Sequence, residues 1–249
     1  MLKVEHLTKV YEGGVLALDD VSFEVPEGQF LAVIGLSGSG KSTLLRCINR
    51  LIEPTEGRIT WHGQDITSAS QDEMRRVRRK IGMVFQHFNL VHRSSVLTNV
   101  LAGRLGYTNP IASLINRFSD EDIAKAHETL DLVGIAGKAK SRADELSGGQ
   151  QQRVGIARAL MQDPEMILAD EPVASLDPVL AHSIMQYLDA IQKRGVTVLC
   201  SLHFLDLVQA YADRAIALNE GKLMFDGTPE EIDDAKFKDI YGQEAERIG

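Results

Sequence analysis

FLAVIGLSGSGKSTLLRCINRLI, Phe30 to Ile52, decides the fold. Its opening, Phe30 to Gly35, is a continuous apolar run. A strand reads this way when both faces of a parallel sheet are covered. From Lys41 onward, KSTLLRCINRLI reads as a helix. Between strand and helix, GLSGSGKS (Gly35 to Ser42) fits the spacing G-x-x-x-x-G-K-[ST] in the setting that the motif requires. Gly38 and Gly40 permit a backbone that a side chain would block, so successive N–H groups turn inward as an anion nest. The helix start near Lys41 adds its positive end. Lys41 can then reach the outer phosphates of a nucleotide, and the Ser42 hydroxyl can bind Mg²⁺.

Two more buried runs lie downstream, MILAD (Met166 to Asp170) and VTVLCSLH (Val196 to His203). Between them Asp177-Pro178 marks a helix start, aspartate as N-cap and proline at the first position. Leu180, Ile184, Leu188 and Ile191 share one helical face, and Gly195 ends the element. Strand, helix, strand in this order is the βαβ signature of a parallel sheet. ITWHG and RAIALNEGKLMFDG alternate more. Asn219-Glu220-Gly221 reads as the turn of an antiparallel hairpin, and Thr228-Pro229-Glu230-Glu231 as a capping box. Residues 90–160 lack buried-strand runs. They hold a loop with Gly103, Gly106 and Pro110, then a helix from about Glu121 to Val133 that Gly134 stops.

Asp170 and Glu171 stand at the end of the MILAD strand, where the strand ends of a parallel sheet converge on a ligand. Asp170 suits Mg²⁺, usually through water. Glu171 suits an attacking water. Phosphoryl transfer needs mostly positioning and charge neutralisation, so these parts suffice. LSGGQ (Leu146 to Gln150) offers a second anion site: Ser147 can cap a helix, and Gly148 and Gly149 expose backbone N–H groups beside its N-terminus.

The chain has 249 residues, 44% hydrophobic and 25% charged, an ordinary globular balance with length for a substantial core. A net charge of −8 argues against nucleic acid or anionic lipid as a partner of the whole surface. RRVRRK (Arg75 to Lys80) reads as a solvated helix face before a strand, not a nucleic-acid patch. Cys47 and Cys200 sit in apolar stretches and read as buried thiols in a reducing compartment. The opening MLKVEHLTKVYEGG has no signal-peptide pattern, and no run approaches the roughly 18 apolar residues of a membrane span. His62, His87, His92, His127 and His182 show no metal-ligand spacing.

Over nearly its full length the chain resembles the nucleotide-binding subunits of ABC transporters. The matching pieces are Gly35 to Ser42 (Walker A), Gln86 in VFQHFNL (Q-loop), Leu146 to Gln150 (signature), Met166 to Asp170 with Glu171 (Walker B and catalytic glutamate), Ser175 to Asp177 (D-loop) and His203 (switch histidine). The resemblance implies an α/β P-loop NTPase: a RecA-like core with an antiparallel β edge subdomain and an inserted α-helical subdomain. Residues 1–89 and 161–249 would form the core, and 90–160 the helical signature subdomain. It implies ATP on Tyr11, which stacks on adenine, and on Gly35, Ser37, Gly38, Ser39, Gly40, Lys41, Ser42 and Thr43. Mg²⁺ falls to Ser42, Gln86 and Asp170. Catalysis falls to Glu171, His203 and Gln86. Ser147, Gly148, Gly149 and Gln150 would grip the ATP of a second, head-to-tail copy, with Asp177 at the same interface.

A lone ATPase chain of this size, without coiled-coil insertions or a second Walker A, resembles a bacterial importer subunit. It would sit on the cytoplasmic face of the inner membrane, against integral permease subunits and indirectly a substrate-binding protein, with no nucleic acid. Phe88 to Tyr107 and DEPVASLDP (Asp170 to Pro178) are closest to phosphonate importers. Phosphate, phosphite or another small solute is the alternative cargo, and a soluble non-transport ABC ATPase the alternative class. Ser94 and Ser201 depart from the phosphonate pattern, where leucine and asparagine are common; neither is expected to touch the ATP motifs.

Overall fold

The structure, a computed structural model, describes residues 1–108 and 118–241. The apolar run becomes β3 (Phe30–Ile34), buried at every position. Its side chains alternate between two cores. Phe30, Ala32 and Ile34 enter one, Leu31 and Val33 the other. β3 lies in a six-stranded sheet with β6 (Ile81–Val84), β7 (Met166–Ala169), β8 (Thr197–Ser201), β9 (Arg214–Asn219) and β10 (Lys222–Gly227). The order is β10-β9-β3-β8-β7-β6. β9, β3, β8, β7 and β6 run parallel, and β10 is antiparallel to β9.

The expected hairpin therefore extends the large sheet. Glu220 and Gly221 make its two-residue turn, with φ of 47° and 80°, as a tight right-twisted hairpin demands. The antiparallel edge is a second sheet, β2-β1-β4-β5, built from β1 (Leu2–Val10), β2 (Leu16–Val25), β4 (Glu56–Trp61) and β5 (Gln64–Asp65). ITWHG contributes to it through β4. β1 and β2 were not evident in the residues.

One face of the large sheet packs on the antiparallel sheet, on α1 (Lys41–Ile48) and on α2 (Gln71–Lys80) through Met74 and Val77. Helix α1 is shorter than the expected KSTLLRCINRLI, because Asn49 leaves helical geometry and Arg50 turns to φ 48°. The basic α2 is only partly a solvated face: Arg78 donates to the carbonyls of Asn49 (3.0 Å) and Arg50 (2.6 Å), tying it to the end of α1.

The other face carries α5 (Gly148–Leu160), α6 (Pro178–Gln192) and α7 (Leu205–Tyr211), and its core continues into α3 (Val96–Leu101) and α4 (Asp120–Leu132). α4 begins where Ser119 accepts the N–H of Asp122 at 3.1 Å, one residue before the expected start, and Gly134 follows it at φ 67°. The loop expected around Gly103 and Gly106 holds instead α3 and a 3₁₀ turn, Ala102–Arg104. Pro110 lies outside the described residues. Gly103 is required by close approach: a Cβ there would stand 2.2 Å from the Arg158 carbonyl oxygen. Asp177 caps α6 as read, accepting the Leu180 N–H at 3.0 Å. Thr228 and Glu231 do form a capping box, on a 3₁₀ turn that precedes α8 (Asp234–Tyr241).

Candidate functional site

The turn after β3 closes against its surroundings too tightly for side chains at two glycines. Gly35 has φ 139°, and a Cβ would meet the Leu218 carbonyl oxygen at 2.2 Å. Gly40 has φ 107°, and a Cβ would meet the Ala17 oxygen at 2.5 Å. Lys41 follows, 3% exposed. Its Nζ donates to the carbonyls of Gly35 and Leu36, both at 2.9 Å, and stands 3.8 Å from Glu171 Oε1. Burial pushes the Lys41 ammonium below its usual range, and the charges of Glu171 and Asp170 oppose that shift.

Asp170 is buried at the end of β7. Its Oδ1 accepts from Ser42 Oγ at 2.6 Å and Ser201 Oγ at 3.4 Å, and its Oδ2 from Arg46 Nη2 at 3.0 Å. Glu171 occupies the left-handed region at φ 47°, a conformation that a non-glycine residue adopts at a cost. Its N–H donates to Ser201 Oγ at 2.8 Å, and its Oε1 lies 2.7 Å from His203 Nε2. The chain thus brings Lys41, Ser42, Asp170, Glu171 and His203 together from two strand ends and one helix start.

A cavity of about 280 Å³ opens beside them, lined by Tyr11, Gly38, Gly40, Lys41, Thr43 and Glu171 among others. The Tyr11 hydroxyl is 3.1 Å from Thr43 Oγ1, so the aromatic ring edges this cavity. Ser37 is exposed on the turn, whereas the Ser39 hydroxyl is buried without a partner. Gln86 lies just past β6, half-buried, and its amide makes no hydrogen bond to the described residues.

Ser147 caps α5 through a full box: it accepts the Gln150 N–H at 3.4 Å, and Gln150 Oε1 accepts the Ser147 N–H at 3.1 Å. Ser147 and Gly148 are exposed, and Gly149 is buried against Leu180. None of Ser147 to Gln150, nor Asp177, lines the cavity. Within one chain the turn of residues 147–150 does not reach that cavity.

Two residues of the site escaped the sequence reading. Ser201, read there as remote from the ATP motifs, holds both carboxylate residues. The signal was a lone hydroxyl at the end of the apolar run VLCS. Arg46 reaches Asp170 from the same face of α1 as Ser42, four residues earlier, a spacing that places both side chains side by side.

The sequence profile of the ABC transporter family matches residues 18–174. The phosphonates import ATP-binding protein PhnC of Bdellovibrio bacteriovorus is 56% identical over 250 residues, covering 100% of this chain and 96% of that protein. Its counterpart from Nitratidesulfovibrio vulgaris is 52% identical, covering 98% and 92%. Among solved structures, a dimeric ATP-binding cassette in a post-hydrolysis state bound to ADP and Pi superposes with TM-score 0.81 at 36% identity, covering 92% of this chain and 99% of that one. With strand, phosphate turn, carboxylates and signature helix arranged as described, the chain belongs to the ABC transporter family, as one of its ATP-binding cassettes.

Proposed function

We propose that this chain is the ATP-hydrolysing subunit of an importer that takes up phosphonate through partner membrane subunits. The observation that carries the ATPase reading is a cavity lined by Lys41, Ser42 and Glu171, with Asp170 bonded to Ser42 and His203 to Glu171 directly behind them. The cargo rests on relatives named as phosphonate import proteins, 47–56% identical over 97–100% of this chain. No helix among the described residues is long and apolar enough to cross a membrane, so partner subunits must supply the passage.

ATP enters with its phosphates on the turn from Gly35 to Thr43, which includes Ser37, Gly38, Ser39 and Gly40, and its adenine toward Tyr11. Lys41 places positive charge at the outer phosphates. The donors fit Mg²⁺: Ser42 Oγ and the buried Asp170 Oδ1 approach to 2.6 Å, and both are hard oxygens of the kind that ion selects. When bound, Mg²⁺ neutralises charge on the phosphates. Gln86 joins that set from the loop after β6. Glu171 takes the proton of the attacking water, and His203, 2.7 Å away, fixes which way that carboxylate faces. Ser147, Gly148, Gly149 and Gln150, exposed or capping at the start of α5, complete the site of a second copy, with Asp177 at the seam. Residues 1–89 and 161–249 act as the catalytic core, and 90–160 as the arm that meets the permease on the cytoplasmic face of the membrane.

The test has two readouts. Glu171→Gln should abolish ATP turnover and accumulate an ATP-bound dimer on size exclusion; wild-type turnover would end the base assignment. Cells lacking the chain should lose uptake of labelled methylphosphonate and regain it with the wild type. Unchanged methylphosphonate uptake with impaired phosphate uptake would replace the cargo.

A further inference from the structure

Asp170 already has a cation. Its side chain is 1% exposed, and the Arg46 guanidinium lies 3.0 Å from Oδ2. Lys41, the other cation at the site, is spent on the carbonyls of Gly35 and Leu36 and faces Glu171 rather than Asp170. A buried carboxylate without a partner is costly, and Arg46 supplies the cation that faces this one, beside the hydroxyl donors Ser42 and Ser201. The pairing is asymmetric, because the Arg46 side chain is 42% exposed. The guanidinium reaches in from solvent on a flexible stem, and its charge stays well hydrated when it swings away. Ser42 and Arg46, four residues apart on α1, divide the carboxylate between them: Ser42 takes Oδ1, and Arg46 takes Oδ2.

We propose that Arg46 is an exchangeable counter-ion of Asp170, which holds the carboxylate aimed at Ser42 and yields it to the divalent cation that accompanies the nucleotide. This rests on the reading that Ser42 and Asp170 hold that cation. Arg46 is then a positioning residue with a definite thermodynamic sign. By occupying Asp170 it lowers the affinity for metal, and by holding Oδ2 it keeps Oδ1 aimed at Ser42. A purely structural arginine would have the opposite effect on removal, because a misplaced Asp170 binds metal less well.

The experiment is Mn²⁺ binding to the full chain with ADP present, read from the free-Mn²⁺ electron paramagnetic resonance signal. Arg46→Met should bind Mn²⁺ about threefold to fivefold more tightly than wild type, the size expected of a partly exposed ion pair removed from competition. Arg46→Lys, which keeps the charge, should fall between them. Unchanged or weaker Mn²⁺ binding in Arg46→Met would overturn the proposal. Binding of a fluorescent ADP analogue without metal checks that each variant retains its fold; if Arg46→Met fails it, the comparison of Arg46→Lys with wild type decides, and equal Mn²⁺ affinity there overturns the exchange. Asp170→Asn separates the two readings. If it leaves Mn²⁺ affinity unaltered, the assignment of the cation to Asp170 falls, whatever Arg46 does.

Discussion

Replacing Ser201 by alanine removes one oxygen atom and should disturb both carboxylate residues of the site. The hydroxyl is fully buried. It accepts the Glu171 N–H at 2.8 Å and donates toward Asp170 Oδ1 at 3.4 Å. Glu171 sits at φ 47°, which costs a non-glycine residue on the order of 1 kcal/mol or more, and the hydrogen bond from its N–H offsets that cost. Without the hydroxyl, a part-buried N–H loses its partner, worth about 1–2 kcal/mol. Alanine leaves little extra space, so a cavity contributes less than the lost bonds. The unfolding free energy from a urea titration should therefore drop by about 1–2 kcal/mol. In a chain of this size, that is a fall in melting temperature of roughly 2–8 °C.

The kinetic consequence is separate. Glu171 reaches His203 at 2.7 Å only while its backbone is held. A loosened backbone should lower kcat for ATP about tenfold, the equivalent of about 1.4 kcal/mol, and leave KM nearly unchanged. Ser94→Ala is the matched control, since the Ser94 hydroxyl makes no hydrogen bond to the described residues; it should change neither quantity. If Ser201→Ala had the stability and the kcat of wild type, Ser201 would not be what holds Glu171 in place.

Gly103→Ala should destabilise the chain by about 1–3 kcal/mol, because the new methyl meets the backbone of α5 at 2.2 Å; Gly137→Ala, with nothing within 4 Å, should be neutral in the same urea titration. Burial pushes the Cys47 thiol up to about 12 from 9.0. The folded thiol stays protonated while the unfolded one ionises, so this group leaves stability unchanged below pH 9 and subtracts from it as pH rises toward 12. Urea titrations at pH 8 and 10 should show wild type losing about 1 kcal/mol more than Cys47→Ala, and equal losses would remove the shift. Ser147→Arg should bind ATP without hydrolysing it, and Lys41→Ala should bind it poorly. Mixing the two should restore part of the activity, because a mixed dimer has one intact composite site; no recovery at any ratio would argue against cradles shared between copies.

The residues disclosed the large sheet more readily than the small one, and the cause is parity. In β3, β7 and β8 every side chain is buried, so the strands read as unbroken apolar runs. β1 sends Leu2, Val4 and then Leu7 into one core, a change from even to odd positions across a register shift where His6 sits at φ 51°. β2 repeats the break between Leu18 and Val21, with Asp20 at φ 54°. An extra residue shifts by one the sequence positions that face the core, so a search for strict alternation fails on strands that are regular on either side of the bulge. α3 escaped for a different reason: six residues are too few to display a helical period.

The same distinction governs the site. The turn from Gly35 to Ser42 is a single contiguous segment, so its spacing is visible in the sequence. Ser201 lies 30 residues from Glu171, and its role depends on the register of two strands. β7 and β8 pair with Ala169 opposite Cys200, and this pairing alone sets Asp170 and Glu171 beside Ser201. No local pattern encodes that offset, because in a strand buried on both faces a shift of register exchanges one apolar residue for another. The polar end of the strand favours this register: with Ala169 opposite Cys200, Ser201 accepts from the Glu171 N–H and donates toward Asp170, bonds that a slip by one residue would disrupt. The serine that holds Asp170 and Glu171 is on this argument also a determinant of how the central strands align.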